Sequence, residues 1–290
     1  MPKAKIAVVG GSGLYEIEGL TEIEEVNLTT PYGQPSHAIT IGKLEGTHIA
    51  FLPRHGRGHT ITPTEVPYRA NIYALKSLGV ERIIAVNAVG SFKKELKPGD
   101  LVIPDQIIDR TRHRADSFFG DGIVVHIAFA DPFCPVLSQI LYEAARKTAV
   151  KTHFGGTYIA MEGPAFSTRA ESRLYRSWGA DIIGMTGIPE AKLAREAEIC
   201  YGMIAGVTDY DSWQDKSERL VVGEILKTLQ QNIEAIKEII ALTVAEVKEE
   251  RTCECAAALS TAIATGRKNM SAEVKKKYDW LIGKYLKGDS

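Results

Sequence analysis

Cys200-Tyr201-Gly202-Met203-Ile204-Ala205-Gly206-Val207-Thr208-Asp209-Tyr210-Asp211 is an apolar run that stops in two carboxylates. The segment 200–207 carries no charge and is closed by polar residues, which reads as a buried strand. Asp209 and Asp211 stand two positions apart, so in extended chain their side chains face the same side. A strand that delivers two acids to one place can serve a site. The competing reading is an Asp-rich turn after a strand, a common turn composition.

Working outward, further short apolar runs lie at 5–10, 48–53, 82–87, 100–104, 157–161 and 181–185, with the last strand extended to 198–207. Helical patterns occupy 67–78, 135–148, 168–178, 189–196 and 223–249. Strands alternating with helices predict an α/β fold with much parallel pairing. The last of these helices carries Ile225, Leu229, Ile233, Ile236, Ile240 and Val244 close to a 3.6-residue period, so one stripe should cover the sheet. We expect one α/β domain over 1–250 and a C-terminal helical extension over 251–290 packed on it. Tyr278, Trp280, Leu281 and Tyr285 would dock that tail despite its lysines.

The chain has 290 residues, 44% hydrophobic and 24% charged, with a net charge of −1. That balance gives no reason to expect nucleic acid or a membrane surface as partner. Met1-Pro2-Lys3-Ala4-Lys5 runs directly into Ile6-Ala7-Val8-Val9, too short for a secretory signal, and a cytoplasmic location is expected. Four cysteines, Cys134, Cys200, Cys253 and Cys255, do not make a secreted disulfide framework. A zinc site on Cys253-Glu254-Cys255 would want a second pair or nearby histidines, and none follows in the tail. A redox-labile disulfide or two unrelated surface thiols remain, and no metal site is expected.

Several strand ends carry anion donors. Gly10-Gly11-Ser12-Gly13 closes the first strand, and its backbone N–H groups with the Ser12 hydroxyl can meet an anion or simply turn the chain. Arg54-His55-Gly56-Arg57 follows another strand and suits an oxyanion or a basic surface loop. Asn87-Ala88-Val89-Gly90-Ser91 and Gly184-Met185-Thr186-Gly187 close two more. Open α/β sheets bind ligands at strand carboxyl ends. Phe166, in Glu162-Gly163-Pro164-Ala165-Phe166-Ser167, can stack on a flat ring or fill a core. An adenine edge, with N7 as acceptor and the 6-amino group as donor, would suit Asp209 and Asp211. His126 is a lone histidine in apolar company.

These motifs, with Thr-Pro-Tyr-Gly at 30–33, Tyr-Arg-Ala-Asn-Ile at 68–72, Asp-Gln-Ile-Ile-Asp-Arg-Thr at 105–111 and Asp-Pro-Phe-Cys at 131–134, closely resemble the methylthioadenosine branch of the trimeric purine nucleoside phosphorylase family. The resemblance runs from Ile6 to about Asn232. It implies a single α/β domain with a central mixed β-sheet flanked by helices, assembled as a homotrimer or a dimer of trimers. The implied activity is phosphorolysis of 5′-methylthioadenosine to adenine and 5-methylthioribose 1-phosphate. Inorganic phosphate is then a co-substrate, and no metal or organic cofactor is implied.

By the same resemblance phosphate lies among Ser12, Arg54, His55, Asn87, Ala88 and Thr186. Met185 holds the ribose, while Phe166, Ser167 and Tyr210 accompany the base. Asp209 faces N7 and Asp211 the amino group. Val222 and Ile225 surround the methylthio group, and His126 arrives from a neighbouring subunit. As general acid, Asp209 needs its pKa raised by burial and by the like charge of Asp211. Ala165 stands where the family more often has arginine, and Asn87 where some relatives have Thr or Ser. The rivals are a broader purine nucleoside phosphorylase acting on adenosine, inosine or methylthioinosine, and a non-catalytic nucleotide-binding protein.

Overall fold

β5 (Arg82–Ser91) and β11 (Cys200–Asp209) run side by side and parallel, in register from Arg82 opposite Cys200 to Val89 opposite Val207. The computed structural model describes residues 3–11, 14, 16–213 and 222–286. On the other flank of β5 lies β1 (Ile6–Gly10), parallel to it and to β4 (Thr47–Pro53). The ends of β1, β4, β5 and β11 therefore point the same way. Beyond β4 the sheet is antiparallel through β3 (Ile39–Leu44) to the edge strand β2 (Thr21–Val26).

At its end β5 changes neighbours. Gly90 and Ser91 pair antiparallel with β10 (Ile182–Gly184), which continues parallel to β9 (Thr157–Met161) and then β7 (Gln106–Arg110). β11 also carries β6 (Leu101–Ile103), which pairs with β8 (Thr152–Phe154). The result is one mixed sheet of eleven strands among the described residues. Because β10 runs against β5, the chain leaving β10 at Gly184 travels back beside Asn87 rather than away from it.

Alternation along the strands feeds two layers. Ala7, Val9, Ile83, Ala85, Tyr201 and Met203 pack with α1 (Tyr68–Ser77) and α4 (Glu190–Glu196). Ile6, Val8, Ile84, Val86 and Ile204 face the opposite way, onto α2 (Pro135–Ala145) and α5 (Val222–Glu246). Each fully buried aliphatic side chain stabilises by roughly 1.5–3 kcal/mol. The expected stripe on α5 holds for Ile233, Ile236, Ile240 and Val244, which are buried in this layer, while Ile225 and Leu229, with the near edge of Ile233, line a cavity. α3 (Arg169–Ser177) packs through Tyr175 on Phe92, Ile159 and Ile183.

α6 (Ala272–Leu286) joins the α1 layer through Tyr278, Leu281 and Ile282. Trp280 meets the rings of Tyr73 and Phe118 edge-on, at 4.6 and 5.0 Å between centroids. The tail thus docks by its aromatics, while Lys277 and Lys284 reach out to Asp121 and Glu198. Four strands are absent from the sequence expectation: β2, β3, β7 and β8. β2 has the sequence TEIEEV and is exposed almost throughout, so it carries no apolar alternation to read. Among the described residues no helix is long and apolar enough to cross a membrane.

Candidate active site

The register of β11 against β5 slips between Val207 and Asp209, so that Asp209 stands opposite Gly90. A slip of this kind re-aims side chains at a strand end. Here it turns Thr208, Asp209 and Asp211 all into one cavity. The turn after Asp211 is held down: the Trp213 indole N–H donates to the Ser91 carbonyl at 2.7 Å, and the Ser212 hydroxyl donates to the Ser167 carbonyl at 2.9 Å.

Burial pushes the Asp209 carboxyl up to about 6, and the charge of Asp211 adds to the rise. The Thr208 hydroxyl, 2.7 Å from Asp209 Oδ1, opposes it. Burial also raises Asp211, while the Ser172 and Ser167 hydroxyls and the Ser212 N–H lie close enough to oppose the rise; no donor is aligned on its buried Oδ2. A buried acceptor left unpaired costs about 1–3 kcal/mol. Gly90 makes the close approach of both acids feasible. A β-carbon there would lie 3.1 Å from Asp209 Oδ2 and 3.2 Å from Asp211 Cβ.

Thr186, Asn87 and His55 supply further polar lining of the cavity. Thr186, beyond β10, accepts a hydrogen bond from the Asn87 amide, and its backbone carbonyl accepts from the Tyr158 hydroxyl. The Thr186 hydroxyl hydrogen is left to donate elsewhere. Asn87 Oδ1 is likewise buried without a partner. His55 Nδ1 lies 2.9 Å from the Ile61 carbonyl, and its ring stacks on His59 at 4.5 Å. Burial, then the charge of Arg54, lowers His55 to about 4. The neutral ring therefore donates through Nδ1 to Ile61 and keeps Nε2 as an acceptor.

Arg54 is held more tightly than its sequence suggests. Its Nε and Nη2 donate to the two oxygens of Glu190, each at 2.8 Å. Nη1 donates to the Val86 carbonyl and Nη2 to that of Val9, both at 3.1 Å. Burial alone disfavours the charge, but Glu190 holds Arg54 above its ordinary value. Four of its five N–H groups are thus engaged, tying the ends of β1, β4 and β5 together. The Tyr201 hydroxyl donates to Glu190 at 2.9 Å.

Part of the wall is apolar. Met161, Phe166, Ile183, Met185, Val222 and Ile225 contribute to it, around a volume of about 470 Å³. That lies in the range of small-molecule sites, roughly 300–1,000 Å³. Gly163 adopts φ +70°, and a β-carbon on it would sit 2.6 Å from Met185 Sδ, so only glycine lets this turn rest on Met185. Beside it Glu162 accepts hydrogen bonds from Thr64, from the Arg112 N–H at 2.5 Å and from Arg114 Nε at 3.4 Å. This clamps the loop of residues 59–63, which also lines the cavity. The capping box of Thr168 and Glu171 opens α3 immediately after Phe166-Ser167.

Of the residues singled out in the sequence, Arg54, His55, Asn87, Ala88, Phe166, Met185, Thr186, Asp209, Asp211, Val222 and Ile225 converge on this one cavity. Ser12 lies outside the described residues, between the lining residues Gly11 and Leu14. Ser167, Tyr210 and His126 do not line the cavity. The Tyr210 hydroxyl donates to the Lys94 carbonyl at 3.2 Å, and Ser167 Oγ lies 3.7 Å from Met161 Sδ. His126 is exposed on a segment joined to the C-terminal extension through its N–H and the Ala262 carbonyl, at 2.8 Å. Sequence reading missed Glu190 and the loop of 60–63, and named Gly90 only as part of the Asn87–Ser91 strand end. Glu190 had one signal, an acid opening a short helix directly after the Thr186 turn.

The model of the phosphorylase superfamily matches residues 5–245. S-methyl-5′-thioadenosine phosphorylase of Geobacter sulfurreducens is 56% identical over 282 residues, covering 97% of this chain and 99% of its own. That of Thermosynechococcus vestitus is 53% identical, covering 98% and 99%. Among solved structures, a methylthioadenosine phosphorylase from an Antarctic soil metagenomic library superposes with a TM-score of 0.92 at 48% identity, over 97% of this chain and 99% of its own. A point mutant of the Schistosoma mansoni adenosine/methylthioadenosine phosphorylase, solved with methylthioadenosine, gives 0.78 at 36% identity, over 86% and 93%.

Proposed function

The chain belongs to the phosphorylase superfamily, and from that premise we propose that it catalyses phosphorolysis of 5′-methylthioadenosine to adenine and 5-methylthioribose 1-phosphate. The observation that carries this is the pairing in one cavity of two buried carboxyls, Asp209 and Asp211, the first pushed up to about 6. The same cavity gathers Thr186, Asn87 and His55.

Phosphate binds beside these three residues and attacks C1′ of the ribose as the C1′–N9 bond breaks. Positive charge develops on the sugar and negative charge on the purine, and donors fixed in advance stabilise the change. Asp209 gives its proton to N7. With a pKa of about 6, about a tenth of it is protonated at pH 7, and the developing negative charge on the purine draws the proton across. Asp211 accepts from the 6-amino group. Phe166 stacks on the base, a contact worth roughly 1–3 kcal/mol. Val222 and Ile225 surround the methylthio group, whose burial adds roughly 1 kcal/mol. Inorganic phosphate is the co-substrate, and the steps use no cofactor.

We place the enzyme in the cytoplasm as a homotrimer or a dimer of trimers, with His126 delivered to a neighbour's cavity. Its exposure, away from the cavity of its own chain, supports that assignment. A wider specificity that includes adenosine is favoured by the similarity to the Schistosoma enzyme. The deciding measurement is adenine release from methylthioadenosine with and without phosphate, then rates on adenosine, inosine and methylthioinosine. Release independent of phosphate, or no release at all, overturns the proposal and leaves a hydrolase or a non-catalytic binder.

A further inference from the structure

All four cysteines of the chain converge at one point, at the end of the sheet away from the cavity. Cys134 caps the N-terminus of α2 and Cys200 opens β11. Cys253 and Cys255 come from a short 3₁₀ turn in the C-terminal extension, at Glu254–Ala257 and its cap. The four Sγ atoms all lie within 4.8 Å of one another, and Cys200 and Cys253 approach to 3.3 Å. Cys134, Cys200 and Cys255 are buried, and all four are free thiols. The second pair that the tail lacks on its own is supplied by residues 53 or more positions away.

We propose that Cys134, Cys200, Cys253 and Cys255 bind a single Zn²⁺ in a closed, structural site. Four thiolates around zinc at about 2.3 Å stand about 3.8 Å from one another at the corners of a tetrahedron. The observed spacing needs only small rotamer adjustments to meet that figure. No pair of these sulfurs is bonded in a disulfide, which leaves all four free to serve as ligands. An all-sulfur tetrahedral set selects zinc among the common divalent ions. The backbone N–H of Leu137 lies 3.5 Å from Cys134 Sγ, a donor that favours the thiolate at the start of a helix.

Binding is balanced by proton loss: four thiols release four protons as one Zn²⁺ gains four sulfur ligands, leaving a centre of charge −2. Arg82, Lys248 and Arg251 line the adjoining cavity, together with Glu246 and Glu250. The metal would pin the extension to the starts of α2 and β11. Cys200 and Asp209 are nine residues apart along a strand, about 30 Å, so the site acts on stability and not on the reacting atoms.

The test uses the full chain, purified without an affinity tag and without chelator. Elemental analysis should return about one zinc per chain. Anaerobic removal with a chelator under reductant should lower the melting temperature by several degrees, and one equivalent of Zn²⁺ should restore it. Turnover per folded molecule should stay within about twofold, since the cavity is remote. Co²⁺ in place of zinc should give the intense visible bands and sulfur-to-metal charge transfer of tetrahedral thiolate. Cys253→Ser with Cys255→Ser should lose the metal. Should that variant fold poorly, the metal content and cobalt spectrum of the unaltered protein decide alone. Two disulfides in native protein, iron in place of zinc, or four titratable thiols that take up neither Zn²⁺ nor Co²⁺ would each overturn the assignment.

Discussion

Arg54 grips Glu190 through two N–H···O bonds of 2.8 Å, with the two side chains 2% and 1% exposed. This pair ties together the strand ends beside Asn87 and Thr186 in the cavity. Removing one partner leaves a buried charge alone, at a cost of about 3–5 kcal/mol. Arg54→Ala and Glu190→Ala should each therefore shift chemical denaturation to markedly lower denaturant. An apolar pair, Arg54→Met with Glu190→Leu, should recover much of the loss. If either single variant is as stable as the parent, the pair is not the strut described.

Thr186 gives the cleaner probe of phosphate. Thr186→Val keeps the shape and removes the hydroxyl, so the apparent KM for phosphate should rise at least about tenfold, with the nucleoside KM little changed. Equal effects on both substrates would move the anion elsewhere.

Asp209→Asn should cut turnover on methylthioadenosine by about 10²–10⁴-fold through loss of a general acid. It should also stabilise the fold above neutral pH. The folded carboxyl sits at about 6 against about 3.9 when unfolded, so the native state holds the proton more tightly. The stability this confers is complete below about pH 4 and is lost as pH rises through 6. The variant escapes that loss. Its advantage should reach up to about 3 kcal/mol at pH 8 and vanish near pH 4. Thermal melts at the two pH values, read beside turnover, separate a catalytic acid from a structural one.

Asp211→Asn presents an amide where a carboxylate stood. An amide can donate to a 6-oxo group as a carboxylate cannot, so the ratio of adenosine to inosine activity should fall. An unchanged ratio removes Asp211 from the amino group.

Gly90→Ala tests the geometry without touching either acid. The new methyl would meet Asp209 Oδ2 at 3.1 Å and Asp211 Cβ at 3.2 Å, so the carboxylates must move by a few tenths of an ångström. We expect a loss of about ten- to a hundredfold in kcat/KM, because small misplacements are costly in a positioned site. Activity equal to the parent would mean that the acids tolerate displacement.

His126 can be placed by subunit mixing. His126→Ala chains and Asp209→Asn chains, each poorly active, should regain activity once exchange is verified, since some interfaces would join an intact His126 to an intact Asp209. No recovery means that His126 serves its own chain or no chain.

Much of the cavity was readable because its parts sit at the ends of strands buried on both faces. Those strands are uninterrupted apolar runs, and the polar residues that close them stand out, as at Pro53-Arg54, Asn87 and Thr208-Asp209. Glu190 was not readable as the partner of Arg54, because 136 residues separate them and ion pairing leaves no periodic trace. The four thiols were scattered for the same reason: only the return of the chain end to the start of β11 brings them together. β2 escaped notice because an edge strand open to solvent needs no apolar pattern.

β5 serves β1, β10 and β11 at once, and both halves of the cavity hang from it: Asn87 at Thr186, Gly90 at the two acids. Three residues of strand separate these attachments, about 10 Å. On the proposed reaction, the backbone of a single strand is a fixed gauge between nucleophile and leaving group. A molecule whose sugar spans that gap is held at both ends, while one with a longer or shorter spacer can satisfy only one. Selection by length would precede selection by the identity of the base.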